Sequence, residues 1–257
     1  KMSQWQARSK YTATASLCNT SGTLAKIARI LGKTEDAAKY KELSRKVADA
    51  YCSVLTDGNG KTKEEFQTAY VLPLYLNMFP ENVKAKAAEN LVKLVEKNDY
   101  KIGTGFPGTP YILFALADNG HADTAYKMLL NTQCPSWLYE VGKGATTVWE
   151  TWTGIDENGK PHESLNHYSY GAICGWLFGG VCGIRYADGV LTIAPTPDKS
   201  LDWAKATYDS PAGRIVSGWR YDGDVVTYEF EIPANLTADV TLPDGRKFTL
   251  APGKHTV

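Results

Sequence analysis

One carboxylate, Glu150, stands between two indoles, Trp149 and Trp152, in the segment 145–152. Thr146 and Thr147 precede it and can donate hydrogen bonds. A second segment, 164–171, places His167 among Asn166, Tyr168 and Tyr170. Aromatic faces stack on the apolar faces of sugars, and a carboxylate held among them can take a proton from water. The combination points to carbohydrate chemistry. The plainer readings stay open on the residues alone: Glu150 as a solvated loop side chain or the partner of an arginine, and His167 as a helix cap. Glu150 falls in an irregular stretch between helical patterns, where site residues concentrate.

The rest of the composition narrows the function classes. The chain has 257 residues, 28 basic and 28 acidic side chains and no net charge. Nothing suggests a broad basic face for phosphates, so nucleic acid is not an expected partner. The 7 Trp and 15 Tyr suit a sugar binder, but they suit a large core as well. The longest apolar run, 171–184, is too short for a membrane span of about 20 residues, so no membrane partner is expected. Five cysteines are scattered without a CxxC pair. Their spacing matches no metal site, and buried free thiols are expected, above all at Cys174 and Cys182. No leader is visible before Trp5, although Lys1 gives no natural start and the chain reads as part of something longer.

Helical spacing dominates the elements that must position the site. Leu17, Leu24, Ile27, Ala28 and Leu31 recur at helical intervals up to Gly32. Thr34, with Glu35 and Asp36, predicts an N-cap and first turn for a second helix through Leu55. A third helix is predicted over 66–79, kinked by Pro73, and a fourth from Glu81 with Ala87, Leu91 and Val95 on one face. Two shorter helices follow, 111–116 and 122–130, and a last one over 167–184. Paired helices of this kind build bundles, solenoids or toroids.

From about residue 184 the period changes to two. Val190–Ile193, 205–208, 213–221, Val225–Ile232, 238–242 and Lys247–Leu250 read as short strands with turn chemistry between them. Val226, Tyr228, Phe230 and Ile232 alternate with Thr227, Glu229 and Glu231. A small antiparallel sandwich is predicted.

Two other motifs are better explained by packing. Gly103-Thr104-Gly105-Phe106-Pro107-Gly108 fits GxGxxG, but a helix rather than a strand precedes it, so a tight interhelical loop is expected instead of a dinucleotide site. Gly175, Gly179, Gly180 and Gly183 are expected to allow close helix packing rather than membrane dimerisation.

The segments 146–152 and 164–171, with 104–109 and Pro135-Ser136-Trp137, resemble bacterial α-L-rhamnosidases of glycoside hydrolase family 78. The likeness runs from about Gln67 to the end. It implies an α+β multidomain chain: part of an (α/α)6 toroid over 1–186, then a β-sandwich over 187–257. It implies inverting hydrolysis of terminal α-L-rhamnosyl linkages in a glycan or glycoside, without metal or cofactor. Glu150 matches the general base and His167 a residue of the sugar pocket. Trp149, Trp152 and Trp137 are expected to wall that pocket. The family's general acid lies upstream in an acidic segment. No such segment occurs here, since the first acidic residue after Trp5 is Glu35. The roughly eight helices readable here also fall short of a whole toroid. A fragment that needs the upstream part of its own polypeptide is therefore expected, inactive alone, in a bacterial periplasm or exterior rather than the cytoplasm. Another toroid glycosidase, a polysaccharide lyase and a non-catalytic sugar-binding protein are the competing readings.

Overall fold

The computed structural model describes residues 2–257, with side chains from residue 6 onward. It divides into two compact units, Lys1–Tyr170 and Gly171–Val257.

The first unit is helical. α1 (Met2–Ile30) and α2 (Thr34–Leu55) form a hairpin, followed by α3 (Gln67–Tyr75), α4 (Glu81–Lys97), α5 (Ile112–Ala117), α6 (Ala122–Leu129) and α7 (Trp137–Gly142); α8 (Tyr168–Gly171) ends it. The α1 stop is a Schellman turn: Gly32 takes a φ of 71°, and the Lys33 N–H reaches the Ala28 carbonyl at 2.8 Å. That turn leads straight into α2. Thr34 is already helical, and Lys33 occupies the cap position without a side-chain bond, so the expected Thr34 cap is displaced by one residue.

Tyr11, Ala15 and Cys18 of α1 meet Val47, Tyr51 and Leu55 of α2 and Ala69 and Leu72 of α3 in one buried cluster. The aromatic members are tied by their hydroxyls. Tyr11 donates to the Leu55 carbonyl at 3.2 Å and accepts the Glu64 N–H at 2.9 Å. Tyr51 donates to the Ala69 carbonyl at 2.6 Å. This last bond answers Pro73. A residue at 73 with an N–H would bond the carbonyl four residues back, which is Ala69, and proline has none to give. Tyr51 supplies the missing donor, so α3 carries Pro73 while burying every residue from Gln67 to Leu74. The helix is shorter than 66–79 because it begins after extended Phe66 and ends at Leu76.

The second unit opens with α9 (Cys174–Trp176) and a π-helical turn (Leu177–Val181), then β1 (Ile184–Ala187), β2 (Val190–Ile193), β3 (Trp203–Ser210), β4 (Gly213–Asp222), β5 (Val225–Ile232), β6 (Ala238–Thr241), β7 (Lys247–Leu250) and β8 (Gly253–Thr256). Two four-stranded sheets have the orders β1-β2-β6-β7 and β3-β4-β5-β8. All pairings are antiparallel except β2 with β6. In β5, Tyr228, Phe230 and Ile232 are buried, matching the alternation. The periodicity does not disclose β1 and β8, which are only 4 residues each.

The single helix expected over 167–184 is broken. Gly171, Gly175, Gly179 and Gly180 give it poor helix propensity, and it splits into α8, α9 and the π turn. A side chain at Gly180 would stand 2.4 Å from the Trp176 Nε1, so the glycine makes room for its own neighbour's indole. Ser217 and Trp219 of β4 donate to the carbonyls of Cys182 and Val181 at 2.6 and 2.8 Å, seating the turn on the sheet. Cys182 is buried, and burial pushes its thiol up to about 12. Cys174 is exposed, contrary to expectation, because the short α9 turns that position outward.

Candidate active site

Three short pieces of the helical unit build the site. The first is the glycine loop. Gln67, buried at the start of α3, accepts the Gly103 N–H on Oε1 at 2.6 Å and donates from Nε2 to the Lys101 carbonyl at 3.2 Å. A Cβ at Gly103 would sit 2.8 Å from the Gln67 amide carbon, and one at Gly108 would sit 2.8 Å from the Thr68 hydroxyl. Close approach to α3 therefore explains these glycines. Thr104 and Thr109, both buried, share a hydroxyl contact at 2.8 Å across the loop. The loop presents Phe106, which is exposed.

The second and third pieces run side by side. The Glu150 N–H bonds the Ser164 carbonyl at 2.9 Å, the His167 N–H bonds the Val148 carbonyl at 2.8 Å, and the Thr147 hydroxyl donates to the Leu165 carbonyl. Between them the chain makes an excursion through 154–162. Asp156 ties it off by accepting the N–H groups of Asn158 and Lys160, and the His162 N–H returns to the Gly154 carbonyl at 2.7 Å. These bonds, with His162, hold the Asp156 carboxyl below its ordinary range. Asp156-Glu157-Asn158-Gly159 is the sequence signal for this turn, and the turn is what brings 164–167 alongside 147–150.

Glu150 is half-buried. One carboxylate oxygen accepts the Ser164 N–H at 3.2 Å. Among the described residues it has no other side-chain hydrogen bond and no ion pair. A carboxylate held by one neutral donor, with its second oxygen uncommitted, can take a proton from water. Glu150 lines neither the cleft of about 780 Å³ between α1 and α2 nor the cleft of about 500 Å³ beside Arg8, Phe66 and Gly105.

The aromatic residues form a continuous run. Trp137 meets Trp152 edge-on at 5.9 Å, Trp152 stacks on Tyr170 at 4.1 Å, Tyr170 tilts against Phe106 at 5.1 Å, and Phe106 stacks on His167 at 4.9 Å. Trp137 also donates from its indole to the Tyr170 carbonyl at 3.0 Å. His167 is half-buried, and its Nδ1 accepts the Ser169 N–H at 3.3 Å, which leaves Nε2 as the nitrogen turned to other partners. Within this run Trp152 is half-exposed, whereas Trp137 is buried. Trp149 lies apart from the run. It is 1 % exposed, and its ring covers Gly154, where a Cβ would come within 3.0 Å.

One functional candidate is absent from the sequence reading. Glu140, on α7, is 2 % exposed. It accepts the Trp149 N–H at 3.2 Å, and its other oxygen is enclosed with no hydrogen-bond partner. Burial raises its carboxyl to about 7, against a smaller lowering by the Trp149 N–H. Such a value suits a general acid, but neither oxygen can reach a substrate. No short motif marks this residue; only the fold reveals it.

The model of the bacterial alpha-L-rhamnosidase 6 hairpin glycosidase domain matches residues 3–181, most of the chain. The chain belongs to this family. The C-terminal domain of bacterial alpha-L-rhamnosidases matches residues 189–256. An alpha-L-rhamnosidase of Streptomyces avermitilis is 36% identical over 90% of this chain, which spans 23% of that protein. One of Formosa agariphila is 35% identical over 90% of this chain and 26% of its own length. The chain thus spans about a quarter of the curated rhamnosidases it matches. Among solved structures, the native rhamnosidase of Aspergillus terreus superposes with a TM-score of 0.88 at 34% identity, over 95% of this chain and 29% of that one. The Streptomyces avermitilis rhamnosidase complexed with L-rhamnose also gives 0.88, at 33% identity, over 95% of this chain and 26% of its own. Rhamnosidases thus share both the helical unit and the sheets of this chain. No described helix is long and apolar enough to cross a membrane.

Proposed function

We propose that the polypeptide carrying this chain hydrolyses terminal α-L-rhamnosyl linkages with inversion, and that Glu150 is its general base. The observation that carries the reading is the state of Glu150: half-buried, unpaired with any cation among the described residues, and held by one N–H, two residues before Trp152 of the aromatic run. Membership of the rhamnosidase family supplies the substrate class. In the reaction Glu150 takes a proton from water, the water oxygen bonds the anomeric carbon, and the glycosidic bond breaks on the opposite face. The leaving oxygen takes a proton from a carboxylic acid roughly 6.5–9.5 Å from the base. Glu140 is too enclosed for that task, so the acid is assigned to the additional length that rhamnosidase relatives possess. His167 donates to a sugar hydroxyl, and Trp152 forms the wall that the sugar meets, with Trp137 behind it. Trp149 is assigned to anchoring rather than to contact. Residues 1–186 are read as part of the toroid and 187–257 as the sandwich that follows it. A periplasmic or extracellular site suits a glycoside substrate.

The test is turnover of an aryl α-L-rhamnoside. In the longest natural polypeptide that carries this chain, Glu150→Gln lowers kcat by about 10²–10⁴-fold, and the isolated chain releases no product. Unchanged kcat in the variant removes Glu150 from the mechanism.

A further inference from the structure

Among the described residues Glu140 is the one buried carboxyl, and the proposed reaction does not use it. The Glu150 N–H bonds the Ser164 carbonyl, and the Trp149 N–H next to it bonds the Glu140 carboxyl. The 148–150 segment is therefore gripped from both flanks, by the 164–167 segment and by α7. α7 is itself fixed by Ser136, whose hydroxyl accepts the Tyr139 N–H at 3.1 Å. The Trp149 ring is enclosed, so the segment has little freedom to slide without Glu140 moving too.

We propose that Glu140 is a positioning residue for the general base, and that its protonation state sets how firmly Glu150 is held. The proposal rests on the reading of Glu150 given above. Neutral Glu140 fits its enclosed place. Ionised Glu140 carries a charge with one oxygen lacking a donor, which is the cost that burial imposes, but it accepts the Trp149 N–H more strongly than the neutral acid does and so holds the segment more firmly. The titratable groups that face it do not offset the charge. Cys134, in the stretch before α7, and Tyr170, in α8, both stay neutral through this range, since burial raises each of them. No cation pairs with Glu140 among the described residues. Because burial moves the carboxyl to about 7, the change falls at ordinary working pH.

The decisive variant is Glu140→Gln. Its side-chain oxygen still accepts the Trp149 N–H, but it does not ionise. In the longest natural polypeptide carrying this chain, the ratio of kcat for Glu140→Gln to kcat for the wild type should fall at least about threefold between pH 5.5 and 8.5, with KM equal within about twofold. A general weakening of the fold would lower the ratio without this pH dependence. In the 257-residue chain alone, the Trp149 amide resonance should titrate with a midpoint near 7 in the wild type and stay fixed in Glu140→Gln. A flat kcat ratio, or an amide that does not titrate, overturns the proposal. Glu150→Gln, run in parallel, separates the two readings. If it retains turnover, the base assignment falls and this proposal with it. If it abolishes turnover while the Glu140→Gln ratio stays flat, only the role of Glu140 falls.

Discussion

Replacing Glu140 by Gln should also change stability, with a sign fixed by the direction of its titration. The carboxyl is raised from 4.5 to about 7 by burial. Below pH 4.5 the folded and unfolded chains both hold the proton, and the group carries no ionisation penalty. Between 4.5 and about 7 the folded chain holds more protons than the unfolded one, so stability falls as pH rises. Above about 7 both forms are ionised and the full penalty applies. The gap between 4.5 and about 7, at about 1.36 kcal/mol per pH unit, gives about 3 kcal/mol. Gln does not ionise, so the stability of Glu140→Gln relative to wild type should rise by about 2–3 kcal/mol from pH 4.5 to 8. Each kcal/mol corresponds to about 2–4 °C in Tm for a domain of this size. Thermal melts of both proteins at each pH cancel every other titrating group. Tm differences that agree within about 2 °C at pH 4.5 and 8 would refute the argument, because they would mean that the Glu140 carboxylate is already stabilised in the fold.

Three further outcomes follow from contacts elsewhere. Tyr51→Phe orphans the Ala69 carbonyl and should cost about 1–3 kcal/mol; the cost should shrink when Pro73→Ala restores an N–H for that carbonyl, and a denaturation cycle showing no coupling would break the link. Trp152→Ala should weaken inhibition by L-rhamnose in the longest natural polypeptide about tenfold or more, or about 1.4 kcal/mol, whereas Trp149→Phe should lower Tm and leave the inhibition constant of the folded enzyme unchanged. Gly183→Ala would place a Cβ 2.2 Å from the backbone of Ala194, at a residue with a φ of 73°. It should destabilise the second unit by at least about 2 kcal/mol, seen as early loss of the β-sheet signal in a circular-dichroism melt.

Much of the architecture was legible because it follows from period. The helices α1 and α2 show in apolar spacing, but Leu17, Leu24, Ile27 and Leu31 are exposed and the hairpin packs through Tyr11, Ala15 and Cys18 instead, whereas the β5 alternation shows in Tyr228, Phe230 and Ile232. Where periodicity misled, a tertiary partner had intervened. Pro73 suggests a kink, but the hydroxyl that makes it tolerable comes from Tyr51 on another helix. The apolar run 171–184 looks like one helix, yet its glycines let Trp176 fold over Gly180 and the turn dock on β4. The β2–β6 parallel pair joins strands far apart in sequence, which no local pattern encodes.

The residues of the proposed site stand out in the sequence, but their placement does not. Glu150, with Trp149 and Trp152, reads as a carboxylate between two equivalent indoles. The structure separates them: Trp149 is buried over Gly154, and Trp152, two positions beyond Glu150 in a turn, joins the aromatic run with Tyr170. Trp149 matters to Glu150 through its main chain: it gives its N–H to Glu140, and Glu140 has no motif because its role depends on α7 packing beneath the loop. A carboxyl raised to about 7 beside a proposed active site ordinarily suggests a proton donor. Here enclosure of both oxygens excludes contact with substrate, and what remains for that proton is to govern the loop that carries the base.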